Sequence, residues 1–230
     1  KGIDGSRRSK GAGKTMETLR KKPKIKICGI TSREEAEYLN EVNAEYAGFV
    51  LYEKSRRRVN FALAAEAMEA LKEGILKVAV VVDPSLALVR EIEQQKFDII
   101  QVHGTLCREV REGAKLPVFR AVNISDSTMW KAFTKEEIAA GGCIAGYVAD
   151  GAGYGGGVGF DWKNLGEEVR RFARNTQLML AGGLTEENVR EAIRHVAPDI
   201  VDVSSGVEEN GIKSREKIIR FVRKVRENEQ

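Results

Sequence analysis

From Lys24 onward the chain switches regularly between two hydrophobic periods. Short runs rich in Ile and Val read as buried β-strands, and the stretches between them repeat their apolar residues at helical spacing. The pattern predicts strands at Lys24–Cys28, Tyr46–Val50, Leu76–Val82, Asp98–Val102, Val118–Val122, Ile144–Ala149, Leu178–Ala181 and Ile200–Val203. A helix follows each. Ser32 with Glu35 three residues later predicts a capping box at the first. The others are expected at Ala62–Leu71, Leu86–Gln94, Leu106–Gly113, Trp130–Ile138, Trp162–Ala173, Glu186–His195 and Ser214–Arg226. In the last of these Ile218, Phe221, Val222 and Val225 form an apolar stripe. Eight strand–helix units predict a single-domain α/β fold, a (β/α)8 TIM barrel. An open doubly wound sheet is the competing architecture. It calls for a glycine-rich nucleotide turn after the first strand, and Cys28-Gly29-Ile30-Thr31 is not one.

In such a barrel the chemistry collects at the C-terminal ends of the strands. That rule selects Cys28 after the first strand, Arg57 in the loop after the second, and Gln101 and His103 on the fourth. It selects Asp150 and a glycine-rich loop through Gly159 after the sixth, and Gly182-Gly183 after the seventh. The eighth contributes Asp202, Ser205 and Gly206. Amides in glycine turns approach an anion closely, and the loops after strands 7 and 8 are this fold's usual phosphate site. A short helix starting near Gly206 would aim its N-terminus at the same point. A phosphorylated small molecule is the expected ligand, with Gly182, Gly183, Ser205 and Gly206 as its phosphate turns. The plainer alternative for Gly182-Gly183 is a tight turn only.

Cys28 can act as a base if nearby cations lower its pKa, and Arg57 is the candidate cation. Asp150 can act as an acid if a dry pocket raises its pKa. An acid facing a base suits isomerisation of a sugar phosphate by proton transfer. Each also has a bland reading, Cys28 as an inert buried thiol and Asp150 as a loop-ordering carboxylate. Cys107 and Cys143 lack metal-ligand spacing and read as structural, and no metal site is expected. His195, late in a helix, reads as a partner of the helix dipole.

Charge changes the picture in one respect. The 230 residues carry a formal +4. The first 22 hold eight basic and two acidic residues, leaving the rest with 30 basic and 32 acidic. The basicity therefore belongs to residues 1–22, expected to be a disordered tail before a catalytic domain at 23–230. Met16 is a candidate native start. Gly13-Lys14-Thr15 resembles the end of a P-loop, but Arg8 stands where that loop needs its first glycine. No run of about 18 apolar residues suggests a membrane helix, and three cysteines suggest a reduced, cytoplasmic setting.

The segments Lys26-Ile27-Cys28-Gly29-Ile30-Thr31, Gly48-Phe49-Val50, Lys54-Ser55-Arg56-Arg57 and Gln101-Val102-His103-Gly104 stand in one order with three more. Those are Phe160-Asp161-Trp162, Leu180-Ala181-Gly182-Gly183-Leu184 and Asp202-Val203-Ser204-Ser205-Gly206-Val207-Glu208. Together they resemble the phosphoribosylanthranilate isomerase family of tryptophan biosynthesis. The resemblance implies a cofactor-free Amadori rearrangement of N-(5-phosphoribosyl)anthranilate to 1-(2-carboxyphenylamino)-1-deoxyribulose 5-phosphate. It implies Cys28 as general base, Asp150 as general acid, Arg57 at the anthranilate end and Asp202 on the sugar hydroxyls. Glu53, Asp83 and a glycine loop at 155–159 one residue short depart from the family pattern. Two other readings stay open. Indole-glycerol-phosphate synthase, another sugar-phosphate barrel, would want a lysine acid at a strand end, where this chain's first strand ends in Cys28. A nucleic-acid module using the tail would bind with steep salt dependence. The isomerase reading expects neither a nucleic-acid nor a membrane partner, and leaves the oligomeric state open.

Overall fold

The computed structural model describes residues 22–140, 144–151 and 161–227. The tail at 1–21, Cys143 and the glycine loop at 155–159 lie outside them. The eight strands are β1 (Lys24–Cys28), β2 (Tyr46–Val50), β3 (Leu76–Val82), β4 (Ile99–His103), β5 (Val118–Ile124), β6 (Gly146–Gly151), β7 (Gln177–Leu180) and β8 (Ile200–Val203). They form a closed barrel in chain order, every pair parallel. Lys26 lies opposite Asp202 where β1 meets β8 to close it.

Alternation along each strand divides the core into two. Ile25, Ile27, Ala47, Phe49, Ile100, Val102 and Val201 face the helices and pack with their apolar stripes. Cys28, Tyr46, Val78, Val80, Ile99, Phe119, Val148, Met179 and Ile200 fill the barrel interior. The period of two fixes which residues meet inside, because a one-residue slip would exchange the two sets.

The helices are α1 (Arg33–Val42), α2 (Phe61–Glu69), α3 (Leu86–Glu93), α4 (Arg108–Gly113), α5 (Ser127–Ala140), α6 (Trp162–Phe172), α7 (Val189–Val196) and α8 (Arg215–Arg226). At α1 the capping box is only half formed. The Glu35 amide donates to Ser32 Oγ at 3.2 Å, but the Glu35 carboxylate turns to Thr31 instead of the Ser32 amide. It accepts from the Thr31 amide at 2.6 Å and hydroxyl at 2.9 Å, and from the Lys213 amide at 3.1 Å. Glu35 is buried, and it pins the loop after Cys28 to the far end of the chain.

The segment after β8 also differs from expectation. The helix expected near Gly206 is a single 3-10 turn, Ser205–Val207. It leads into an antiparallel hairpin of β9 (Glu208–Glu209) and β10 (Ile212–Lys213) before α8. Asn210 and Gly211 turn this hairpin with φ of 52° and 83°. Two left-handed residues are what a two-residue hairpin loop requires, and Asn-Gly is its usual sequence.

Candidate active site

The C-terminal mouth of the barrel opens into a cavity of about 480 Å³. Cys28, Arg57, Gln101, His103, Asp150, Gly182, Gly183, Asp202 and Ser205 all line it. Of the ten residues expected at the site, only Gly206 is set back from this surface. It packs one layer behind, where a Cβ would lie 1.9 Å from the Leu184 carbonyl oxygen.

Cys28 is the last inward residue of β1, and its partner across the strand pair is Gly48 of β2. A Cβ at Gly48 would lie 2.8 Å from the Cys28 sulfur, so the glycine makes the room in which the thiol sits. Burial pushes the Cys28 thiol above its ordinary pKa, and Asp202 adds to this; Lys26 and Lys213 pull it down without cancelling the rise. The cations acting most on the thiol are therefore Lys26 and Lys213 rather than Arg57.

Lys26 was not among the expected site residues. It is fully buried one inward step below Cys28, and its Nζ donates to Asp202 Oδ2 at 2.7 Å. Burial pulls the ammonium down, but Asp202 and Cys28 outweigh it and hold the pKa above its ordinary value. The second oxygen of Asp202, Oδ1, is buried with no hydrogen-bond partner among the described residues. An orphaned acceptor in a cavity wall is costly unless a ligand hydroxyl or water satisfies it. The signal for Lys26 was in the alternation itself, since residues 24, 26 and 28 share one face of Lys-Ile-Lys-Ile-Cys.

Asp150 stands at the end of β6, nine-tenths buried. Burial first, and the Asp202 carboxylate second, raise its pKa from 3.8 to about 7. Gly182 gives it space: φ is +82°, and a Cβ there would lie 2.6 Å from Asp150 Oδ1 and 2.1 Å from the Gly151 amide nitrogen. The turn beyond is fixed by Asn188, whose side chain donates to the Gly183 carbonyl at 2.7 Å and accepts from the Thr185 amide at 2.8 Å.

His103 and Gln101 face each other within β4, with Gln101 Nε2 2.8 Å from His103 Nε2. Burial, then Lys26 and Arg120, depress the imidazole to about 3. It is neutral at physiological pH, so His103 is an acceptor or donor here and not a counter-ion. Asp83, a departure from the family pattern, adopts φ of +47°, a region that Asn and Asp enter most readily. Its exchange for asparagine keeps that geometry. Glu53, the second departure, is exposed in the turn after β2.

Arg57 is buried, and its guanidinium grips Glu208 with two bonds: Nε to Oε1, and Nη2 to Oε2 at 2.8 Å. Burial pushes the Glu208 carboxyl up, but Arg57 and Lys213 overcome this and hold it below its ordinary pKa. Among the described residues, no three His, Cys, Asp or Glu side chains converge as metal ligands would. No helix there is long and apolar enough to cross a membrane.

Residues 25–224 match the family model described as N-(5'phosphoribosyl)anthranilate (PRA) isomerase. The chain belongs to this isomerase family. A relative named N-(5'-phosphoribosyl)anthranilate isomerase from Caldanaerobacter subterraneus subsp. tengcongensis is 39% identical over 209 residues, covering 88% of this chain and 98% of its own. Another of the same name from Streptococcus mutans is 37% identical over 205 residues, with the same coverage. Among solved structures, the phosphoribosyl anthranilate isomerase of Thermotoga maritima aligns with a TM-score of 0.78 at 30% identity, over 88% of this chain and 98% of that one. A family structure in complex with reduced 1-(o-carboxyphenylamino)-1-deoxyribulose 5-phosphate aligns at 0.76 with 29% identity, with the same coverage. The isomerase fold is thus matched along nearly its whole length.

Proposed function

We propose that this isomerase converts N-(5-phosphoribosyl)anthranilate to 1-(2-carboxyphenylamino)-1-deoxyribulose 5-phosphate, with Asp150 as general acid and Cys28 as general base. The observation that carries the proposal is a buried carboxyl held at about 7 in the wall of the same cavity as a buried thiol. Asp150 gives its proton to the furanose oxygen, the C1–O bond breaks, and the nitrogen lone pair forms an iminium. The Cys28 thiolate removes the C2 proton, which the iminium has acidified, and an enolamine results. A proton returns at C1 and the C2 hydroxyl proton leaves, so the product is an isomer with no net electron or proton change. Nothing in this sequence calls on a cofactor.

The other groups have roles consistent with their contacts. Asp202 Oδ1, left without a partner, is an acceptor for a sugar hydroxyl. Gln101 Oε1, buried and also unpartnered among the described residues, is a second acceptor in the cavity wall. The turns at Gly182, Gly183, Ser205 and Gly206 supply amides for the phosphate, at the strand 7 and 8 position where this fold holds one. Arg57 receives the anthranilate carboxylate. A general acid and base should each contribute roughly 10²–10⁴-fold.

The test is direct. Purified protein is added to freshly made phosphoribosylanthranilate, and its fluorescence decay is followed. Acceleration far beyond the spontaneous loss is expected. A decay no faster than without protein refutes the proposal.

A further inference from the structure

Glu208 lies outside the cavity surface, yet it touches Arg56, Arg57, Lys213 and Lys217 behind the mouth. Its Oε1 accepts from Lys213 Nζ at 2.6 Å as well as from Arg57. Its Oε2 accepts from Arg56 Nη2 at 2.9 Å and Arg57 Nη2 at 2.8 Å. Its backbone carbonyl accepts from Lys217 Nζ at 2.7 Å. One carboxylate is therefore shared by Arg56, Arg57 and Lys213, and the cluster keeps an excess of positive charge. Lys213 extends the network to the base: its Nζ also donates to Ser204 Oγ at 3.2 Å, and that hydroxyl donates to the Cys28 carbonyl at 2.9 Å.

The two-pronged contact fixes the plane and rotation of the Arg57 guanidinium, which a single contact would not. It uses the Nε–Nη2 edge. Nη1 donates to no group among the described residues, and Arg57 lines the cavity. The arginine's stem lies against Gly29, where a Cβ would come 2.5 Å from Arg57 Cδ, so the clamp sits beside the residue next to Cys28. A fixed, charged donor in this position favours a ligand that brings a carboxylate to it.

We propose that Glu208 is a positioning residue that locks Arg57 for the aryl carboxylate of the substrate and so sets the preference for an acidic over a neutral arylamine. This rests on the reading that phosphoribosylanthranilate is the substrate. Lys213 and the β9–β10 hairpin hold Glu208 in turn, which gives that small hairpin a part in specificity.

The experiment compares kcat/KM for phosphoribosylanthranilate with that for phosphoribosylaniline, which lacks the carboxylate. Wild type should prefer the former. Glu208→Gln should reduce the ratio on the order of tenfold, mostly through KM for the anthranilate, as expected when a charge-assisted contact loses its orientation. In an Arg57→Ala background the same change should leave the ratio where Arg57→Ala alone sets it. Glu208→Gln with Lys213→Met removes one charge of each sign and serves if the single variant does not fold; it should reduce the ratio similarly. A folded variant with the wild-type ratio overturns the proposal, as does a further fall in the Arg57→Ala background. Failure of the underlying reading is distinct, since wild type would then fail to accelerate phosphoribosylanthranilate at all, whereas a wild type that accelerates both substrates equally overturns the present proposal.

Discussion

Replacing Asp150 by asparagine should remove activity and at the same time stabilise the protein, by an amount that depends on pH. The folded carboxyl sits at about 7 and the unfolded one near 3.8. A group whose folded pKa is raised contributes stability that is full below its unfolded value and lost as pH rises through its folded value. The native state holds the proton more tightly, so stability falls from about pH 4 to about pH 7. Each pH unit of difference is worth about 1.4 kcal/mol. The gap of just over three units means that ionised Asp150 costs the fold about 4 kcal/mol at pH 8, an order-of-magnitude figure. Of this, about 1.5 kcal/mol is already lost at pH 5. Asparagine has no charge to desolvate and keeps an oxygen for the Gly151 amide, which Asp150 already engages. Asp150→Asn should therefore gain about 2.5 kcal/mol on wild type between pH 5 and pH 8. Urea unfolding of both proteins at the two pH values, followed by circular dichroism, measures that difference. Titrations of groups not coupled to Asp150 cancel in the comparison. An equal stability gap at both values would show that Asp150 is not held neutral by its surroundings, and the argument for it as the acid would fall with it.

Two further outcomes test the base and the pairing. Cys28→Ser should leave the unfolding midpoint close to that of wild type and cut kcat by roughly 10²–10⁴-fold; near wild-type turnover would remove Cys28 from the mechanism. The pH profile of kcat/KM should rise tenfold per unit up to about 7, because Asp150 stays protonated there while thiolate accumulates. It should then run level, since Asp150 loses protons as fast as Cys28 does, and decline only above the ordinary thiol value of 9.0. A profile already falling by pH 8 would contradict this order of the two groups.

The existence and order of all eight barrel strands were legible in the sequence because each is an apolar run bounded by polar loops. Their ends were less so. β4 runs on to His103 and β6 to Gly151, because a strand's end is set by its neighbour's register: His103 pairs with Val82, and Gly151 with Ile124. α5 begins three residues earlier than its apolar spacing suggested. Asp126 Oδ1 accepts from the Thr128 amide at 2.7 Å and the Met129 amide at 2.9 Å, a capping signal that hydrophobic periodicity does not contain. At the site, the strand-end rule found residues that line the cavity. It missed Lys26, Glu208 and Lys213, which act from beneath or behind it. Lys26 was recoverable from strand alternation and the hairpin from Asn210-Gly211. The pairing of Glu208 with Arg57 joins residues 151 positions apart and leaves no local trace.

The same burial that suits the proposed acid works against the proposed base. Burial raises both Asp150 and Cys28, keeping the carboxyl protonated near neutrality but disfavouring the thiolate. Lys26 beneath the thiol offsets only part of that cost, and half of its attention goes to Asp202 at 2.7 Å. The arrangement is consistent if ring opening comes first. In the proposed mechanism the iminium brings a positive charge into the cavity that Cys28 lines, and a positive charge stabilises a buried thiolate more than an exposed one. It also acidifies the C2 proton, so the demand on the base falls as its supply of thiolate rises. On the proposed mechanism a resting cavity that favours the protonated thiol is not miswired: the acid step supplies the charge that draws the thiol's proton off to solvent at the cavity mouth, and the thiolate so formed takes the C2 proton.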